Sequence, residues 1–449
     1  VNETAVVSEK LAIDAGARPI LLTRRLLTNK QLAVALVLAL TFAVYAGTIS
    51  YQFVFDDIGQ IVKNPAVKSW SLAPSYFTEH VWKHNEPGVH GNYYRPVFLI
   101  WMLINYMLFG LNAAWWHLTT VLVHVCVTLM VYLLASRLLK DQWTAWMTAV
   151  IFGLHPIHIE AVAWVSGVTE PLLALLLIPA FLFYMNWRES DSSSDVTSHA
   201  KRNRRVWLAA SLAFYAVAMF EKETALVLPM LIFAYEWIYN PRQLQLFSFA
   251  ARVRNGIRCA APYLAISVVY LSARAIVLKG LGHEVTPLPI STIILTWPSL
   301  LWAYIKMLFW PVGLSAFYDT PYVTTPGIVN LALPLLAVAA AAGLLWVWSR
   351  KTRAVAFASA LLVVPLLPLL NLSVFFQGEI AHDRYLYLPS IGFSILVALA
   401  LKRIGAGQAR LFSQPAIQAL AAIVLTVLLG LATTTQHIHW ASDLLLFYR

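Results

Sequence analysis

Apolar runs recur from residue 31 to residue 435, separated by short polar segments. That spacing predicts an all-α polytopic membrane protein, since a hydrocarbon core of about 30 Å takes roughly 20 apolar residues per helix. Runs near 31–50, 113–135, 142–155, 170–187, 206–220, 224–240, 259–278, 328–348, 354–371, 385–401 and 415–435 are read as about 11 spans, the shorter ones tilted or begun within loops.

The polar segments between the runs set direction. Most of the 32 Lys and Arg fall in 1–30, 136–141, 188–205, 240–258, 349–354 and 402–414, which the positive-inside rule places in the cytoplasm. The intervening segments, 51–112, 155–170, 221–223, 279–327, 372–384 and 436–449, then face outside and hold most of the acids. Two further runs, 94–112 and 297–313, would break this alternation if they crossed. They are expected as aromatic-rich helices on the outer membrane surface. The expected organisation is a cytoplasmic leader over 1–30, a transmembrane domain over 31–435 with its first outer loop at 51–112, and an outer tail over 436–449 leading to a soluble domain that has been removed. The first run lacks a small-residue cleavage site and reads as a retained anchor. Residues 188–205, rich in Ser and charge, read as a disordered loop. Short loops without eukaryotic sorting signals favour a bacterial inner membrane over the endoplasmic reticulum.

Composition narrows the function. The chain is 60% hydrophobic and 12% charged, and its net charge of +11 lies largely in short loops. It therefore reports membrane topology and no nucleic-acid partner. The only cysteines, Cys126 and Cys259, sit in or beside apolar runs, which excludes a disulfide framework. There is no phosphate-binding P-loop, dinucleotide fingerprint or Gly-x-Ser-x-Gly elbow. The lack of internal repeats weighs against a transporter. A non-catalytic scaffold is the other rival.

Where charge is scarce, carboxylates at a membrane face are candidates for chemistry. Asp56-Asp57 follows Phe53-Val54-Phe55 and suits a general base or a metal ligand, against the plainer reading of a solvated helix start. His155, His158 and Glu160, continuing to Glu170, suit sugar or acceptor binding. Pro156 argues against a regular helical histidine pair, and the plain alternative is a hydrogen-bonded helix end. In Glu221-Lys222-Glu223 a lysine between carboxylates could meet a lipid phosphate or simply form a loop ion pair. In His382-Asp383-Arg384-Tyr385, with Tyr387, the guanidinium offers a planar fork for phosphate, or anchors an interfacial aromatic belt.

These pieces together carry a resemblance. Phe53-Val-Phe-Asp56-Asp57, Tyr94-Arg95-Pro96, Phe109-Gly110-Leu111-Asn112 with His117, His155-Pro156-Ile-His158-Ile-Glu160-Ala161-Val162-Ala163, Lys222-Glu223 and Arg384-Tyr385-Leu-Tyr387-Leu-Pro389-Ser390 run in order over residues 50–400. The chain resembles the GT-C superfamily of membrane glycosyltransferases, and within it the transmembrane O-mannosyltransferases that carry tetratricopeptide repeats. The resemblance implies a GT-C fold, a polyprenyl-phosphate sugar as donor, a protein Ser or Thr hydroxyl as acceptor, membrane lipid as surroundings, and an extracytoplasmic site. A lipid or glycan acceptor is the alternative. Asp56 or Asp57 would be the base; Arg384, Lys222, His382 and Arg95 would hold the donor phosphate; and His155, His158, Glu160, Glu170, Glu223, Asp383 and Tyr387 would hold sugar or acceptor. A divalent metal, Mg or Mn, at Asp56 and Asp57 is left open. One departure stands out: where the family has a Gly-Arg-Ala-Asp-like stretch, this chain reads Ser166-Gly-Val-Thr-Glu170, keeping a carboxylate but losing an arginine.

Overall fold

A computed structural model describes residues 29–84, 93–192, 198–239, 248–280, 288–375, 379–404, 410–411 and 414–447. Residues 1–28 of the leader expected at 1–30 lie outside them, as do residues 193–197 of the loop expected at 188–205; the rest of that expected disordered loop is helical, within Thr169–Ser192 and Ser198–Glu221. Apart from one short strand pair, Arg410–Leu411 with Gln414–Pro415, the regular structure among the described residues is helical. In chain order the helices are α1 (Asn29–Tyr45), α2 (Pro96–Phe109), α3 (Ala113–Leu139), α4 (Gln142–Leu154), α5 (Ile159–Ala163), α6 (Thr169–Ser192), α7 (Ser198–Glu221), α8 (Val227–Tyr239), α9 (Phe249–Leu278), α10 (Ile290–Phe309), α11 (Leu333–Ser349), α12 (Arg353–Val363), α13 (Pro389–Leu401), α14 (Ala416–Gln436) and α15 (Asp443–Phe447).

Among the described residues, 8 helices are long and apolar enough to cross a membrane, and up to 9 if the bent pair Gln142–Leu154 and Pro156–Ala163 forms one span. The multi-pass reading therefore stands, but the count of 11 does not follow. The runs at 224–240 and 385–401 yield helices of only 13 residues, α8 and α13. Their leading residues are taken up by 3-10 turns, Glu223–Leu226 and Asp383–Leu386, which carry candidate site residues. The run at 142–155 ends where Pro156, which has no N–H to donate, breaks the helix with a 51° bend. Of the two helices expected on the surface, α2 has 14 residues, whereas α10 extends to 20 and meets the length of a span.

Sequence signals account for several helix ends. Asn112 caps α3 by accepting the Ala114 N–H at 3.2 Å, and Asp141 caps α4 by accepting the Thr144 N–H at 2.9 Å. Lys402, just past α13, reaches the same Asp141 carboxylate at 3.0 Å and ties the two helix ends together. Both cysteines are free thiols.

The interior is packed around α6. The most apolar window of Val165–Ser190 is 78% buried, whereas that of Ile328–Ser349 is only 6% buried, so α6 is central and α11 peripheral. Phe181, Tyr184, Tyr215, Phe357 and Tyr387 fill the space between α6, α7, α12 and α13. Gly392 lets α13 approach α12 closely: a Cβ there would collide with the Ala358 carbonyl and the Leu362 amide. Gly392→Ala is expected to cost about 1–3 kcal/mol through forced helix separation, read as a lowered Tm in detergent; an unchanged Tm would show that the two helices part freely.

Candidate active site

A cavity of about 380 Å³ gathers residues from distant parts of the chain. The first loop contributes Asp56 and Gln60, and the start of α2 contributes Arg95. The corner between α5 and α6 contributes Trp164, Ser166, Thr169 and Glu170. Lys222 and Glu223 come from the turn between α7 and α8, Arg274 from α9, and Arg384 and Tyr385 from the turn ahead of α13. One wall is apolar, built from Leu226, Leu271, Pro365, Pro368, Leu369 and Leu388.

The adjacent acids face different ways. Asp57 is fully buried. One of its oxygens accepts the Ser166 N–H at 2.8 Å and the Ser166 hydroxyl at 2.5 Å; the other accepts the Val54 N–H at 3.2 Å. Burial pushes its carboxyl up to about 7, opposed by those hydrogen bonds. Asp57 thus fastens the first loop to the α5–α6 corner. Asp56 instead lines the cavity and accepts one side-chain hydrogen bond, from Gln60 at 3.3 Å. Burial raises its carboxyl to about 6, and the charge of Arg384 pulls it back down. Phe55, just before the pair, has φ of +55°, a left-handed conformation uncommon for a bulky side chain.

The cations are held by carboxylates. Arg384 pairs with Glu160, which also accepts the Arg384 backbone N–H at 2.9 Å. Its guanidinium lies over the rings of Trp164 at 5.4 Å and Tyr385 at 5.2 Å. Burial disfavours that charge, but Glu160 more than offsets it and raises the Arg384 pKa. Lys222 pairs with Glu170 in a buried contact; burial pushes its ammonium down and Glu170 pulls it back. Arg95 at 3.1 Å and Arg274 at 3.4 Å converge on Glu223. Pro96 opens α2, leaving Arg95 at the helix cap with its side chain directed to Glu223. Gly167 sits where a Cβ would strike the Glu160 carbonyl, so the absence of a side chain allows the turn bearing Ser166 to close on α5.

Of the residues expected to bind the donor phosphate, Arg384, Lys222 and Arg95 line the cavity. His382 lies beside Arg384, with Nδ1 3.4 Å from Glu160. Of those expected to meet sugar or acceptor, Glu170 and Glu223 line the cavity. Glu160, Asp383, His155, His158 and Tyr387 are buried among other partners and do not line it. Asp383 accepts from the Tyr318 hydroxyl. His155 donates from Nε2 to the Leu308 carbonyl at 3.0 Å, its Nδ1 accepting the Ile157 N–H. His158 Nε2 lies 2.8 Å from Ser390 Oγ, and Tyr387 OH lies 2.7 Å from His124 Nδ1. These contacts join the His-Pro corner to the segment bearing Arg384.

Most of the cavity lining lies outside the expected site, Arg274, Trp164 and Gln60 among it. Arg274, a cation inside an apolar run, carried a signal in its placement. Trp164 and Gln60 carried none. For a divalent metal the fit is poor: Asp57 is committed to Ser166 and Val54, so the acidic pair presents only one carboxylate to the cavity. Among the described residues, no group of three or more His, Cys, Asp or Glu side chains is arranged to hold a metal.

Sequence comparison bears out the resemblance to the transmembrane O-mannosyltransferases. The chain is 28% identical over 410 residues to protein O-mannosyl-transferase TMTC1 of Homo sapiens, covering 83% of this chain and 46% of that protein. It is 26% identical over 451 residues to protein O-mannosyl-transferase TMTC3 of Homo sapiens, covering 92% and 47%. The chain thus spans about half the length of these curated relatives. They are animal proteins, so the expected bacterial membrane finds no support. No protein-family model matches the chain. Among solved structures, ArnT from Cupriavidus metallidurans bound to undecaprenyl phosphate aligns over 92% of this chain and 76% of its own, with 15% identity and a TM-score of 0.44.

Proposed function

We propose that the chain is a GT-C glycosyltransferase that moves a sugar, most simply mannose, from a polyprenyl-phosphate donor to a Ser or Thr hydroxyl of a protein on the extracytoplasmic side. The observation that carries this reading is the cavity itself. One carboxylate raised toward neutrality, Asp56, shares it with Arg384, Lys222 and Arg95 and with an apolar wall. That combination suits a substrate with an anionic head and a hydrocarbon tail. The names of the relatives support mannose and protein acceptors.

In this mechanism Asp56 takes the acceptor hydroxyl proton as the acceptor oxygen bonds to the anomeric carbon. The bond from that carbon to the phosphate oxygen breaks through an oxocarbenium-like state, and its electron pair leaves with the phosphate. Arg384, with Lys222 and Arg95, stabilises the charge that develops there. A single displacement of this kind inverts the anomeric configuration.

The base must be ionised to act. Activity is therefore expected to rise with pH through about 6, following Asp56. Because the Arg384 charge lowers that pKa, Arg384→Gln shifts the rise to higher pH. A flat profile between pH 5 and 7, with transfer shown to be rate-limiting, would contradict the base assignment.

The donor class is tested in sealed vesicles given polyprenyl-phosphate mannose or a nucleotide-linked mannose, with peptide, glycan or lipid acceptors. The reading expects use of the lipid-linked donor from the extracytoplasmic face and transfer to peptide. Consumption of the nucleotide sugar would overturn it, and transfer only to lipid or glycan would reassign the acceptor.

A further inference from the structure

We infer that residues 437–447, which follow α14, brace the loop bearing the proposed base, and that Asp443 is a positioning residue for Asp56. This rests on the glycosyltransferase reading and adds a control element outside the cavity. The observations form a ladder. Tyr51 OH lies 2.6 Å from His437 Nδ1, the Gln52 N–H donates to the Ala441 carbonyl at 3.3 Å, and the Phe55 N–H donates to Asp443 Oδ1 at 2.7 Å. The Phe55 ring is caged by Trp164 at 5.6 Å, Phe317 at 5.6 Å and Phe447 at 6.0 Å, and Trp440 stacks on Trp164 at 5.8 Å.

These contacts close on Phe55, the one non-glycine residue with positive φ among the described residues of the loop. Phe55 at φ +55° is disfavoured by its own Cβ and persists only where its surroundings hold it. The next residue is Asp56. If Phe55 relaxed to negative φ, the chain direction after it would rotate and the Asp56 carboxylate would leave the cavity. Asp57, fastened to Ser166, also closes the turn around Phe55 and Asp56, giving its N–H to the Val54 carbonyl at 3.0 Å and accepting the Val54 N–H at 3.2 Å. The hydrogen bond from Phe55 to Asp443 and the ring cage act with that turn to hold Phe55 at its positive φ. Asp443 is exposed and lies outside the cavity lining, so its substitution leaves the site's charges in place.

The test compares Asp443→Ala and Asp443→Asn with wild type in nanodiscs, measuring transfer kinetics and amide hydrogen exchange of the peptide spanning 51–58. Asp443→Ala is expected to lower kcat roughly tenfold or more with donor KM nearly unchanged, as for a misaimed group, and to speed exchange in that peptide alone. Asp443→Asn retains an acceptor oxygen and is expected to stay within about threefold of wild type. Phe55→Gly reaches the same φ without penalty, so the Asp443→Ala defect shrinks in that background. Unchanged kcat in Asp443→Ala, with or without faster exchange, overturns the positioning role. If the wild type transfers no sugar, the function reading fails, and exchange alone decides the brace: retained protection in Asp443→Ala overturns it.

Discussion

Asp56→Asn is expected to lower kcat by about 10²–10⁴-fold, the range a positioned general base supplies, while leaving donor KM and Tm close to wild type. The substitution keeps shape and the capacity to accept from Gln60, and removes only the basicity. Asp57→Asn is expected to behave in the opposite way. An amide NH2 turned toward Ser166 or Val54 would set donor against donor in a buried site, at a cost of about 1–3 kcal/mol. Its effect belongs in Tm and folded yield, with kcat per folded molecule much less affected. Steady-state kinetics beside thermal unfolding of both variants separates the two roles. Equal losses of kcat at unchanged Tm would contradict the division of labour read from Ser166.

Arg384→Gln is expected to reduce kcat by about 10²–10³-fold, as when one preorganised donor is taken from developing negative charge. Glu160→Ala acts on the same guanidinium from behind. It leaves a half-buried cation without its carboxylate and is expected to destabilise the fold by about 1–3 kcal/mol. Removing both partners should restore part of that stability, because the uncompensated charge goes with the arginine. Unfolding of the two single variants and the double measures this coupling. Strict additivity would show that Glu160 does not hold Arg384.

The sequence made much of the site visible, because polar groups in a largely apolar chain stand out. Asp56, Glu170, Lys222, Glu223 and Arg384 were each conspicuous for charge beside an apolar run, Arg95 was marked by the family resemblance, and all six line the cavity. What composition cannot supply is partnership across the chain. Asp57 is fixed by Ser166, 109 positions away, and Arg384 by Glu160, 224 positions away. Hence neither the unequal roles of the adjacent acids nor the task of Glu160 could be read from spacing. His155, His158 and Tyr387 were conspicuous too, yet burial and hydrogen bonding turn them to joining helices. Arg274 was overlooked although its setting was as unusual as that of Glu236, which Arg188 holds at 2.7 Å in the same bundle. For the fold, apolar runs marked where helices lie but not where they break. Pro156 bends one run, and the turns ahead of α8 and α13 shorten two others.

The most direct measurement is transfer of labelled mannose from polyprenyl-phosphate mannose to a Ser/Thr peptide by purified protein in nanodiscs, wild type beside Asp56→Asn. Peptide mannosylation by the wild type, with inverted anomeric configuration and at least about 100-fold slower turnover in the variant, is the expected result. Equal transfer by both proteins, or none from a wild type shown to be folded, would contradict a lipid-linked sugar transferase with Asp56 as its base.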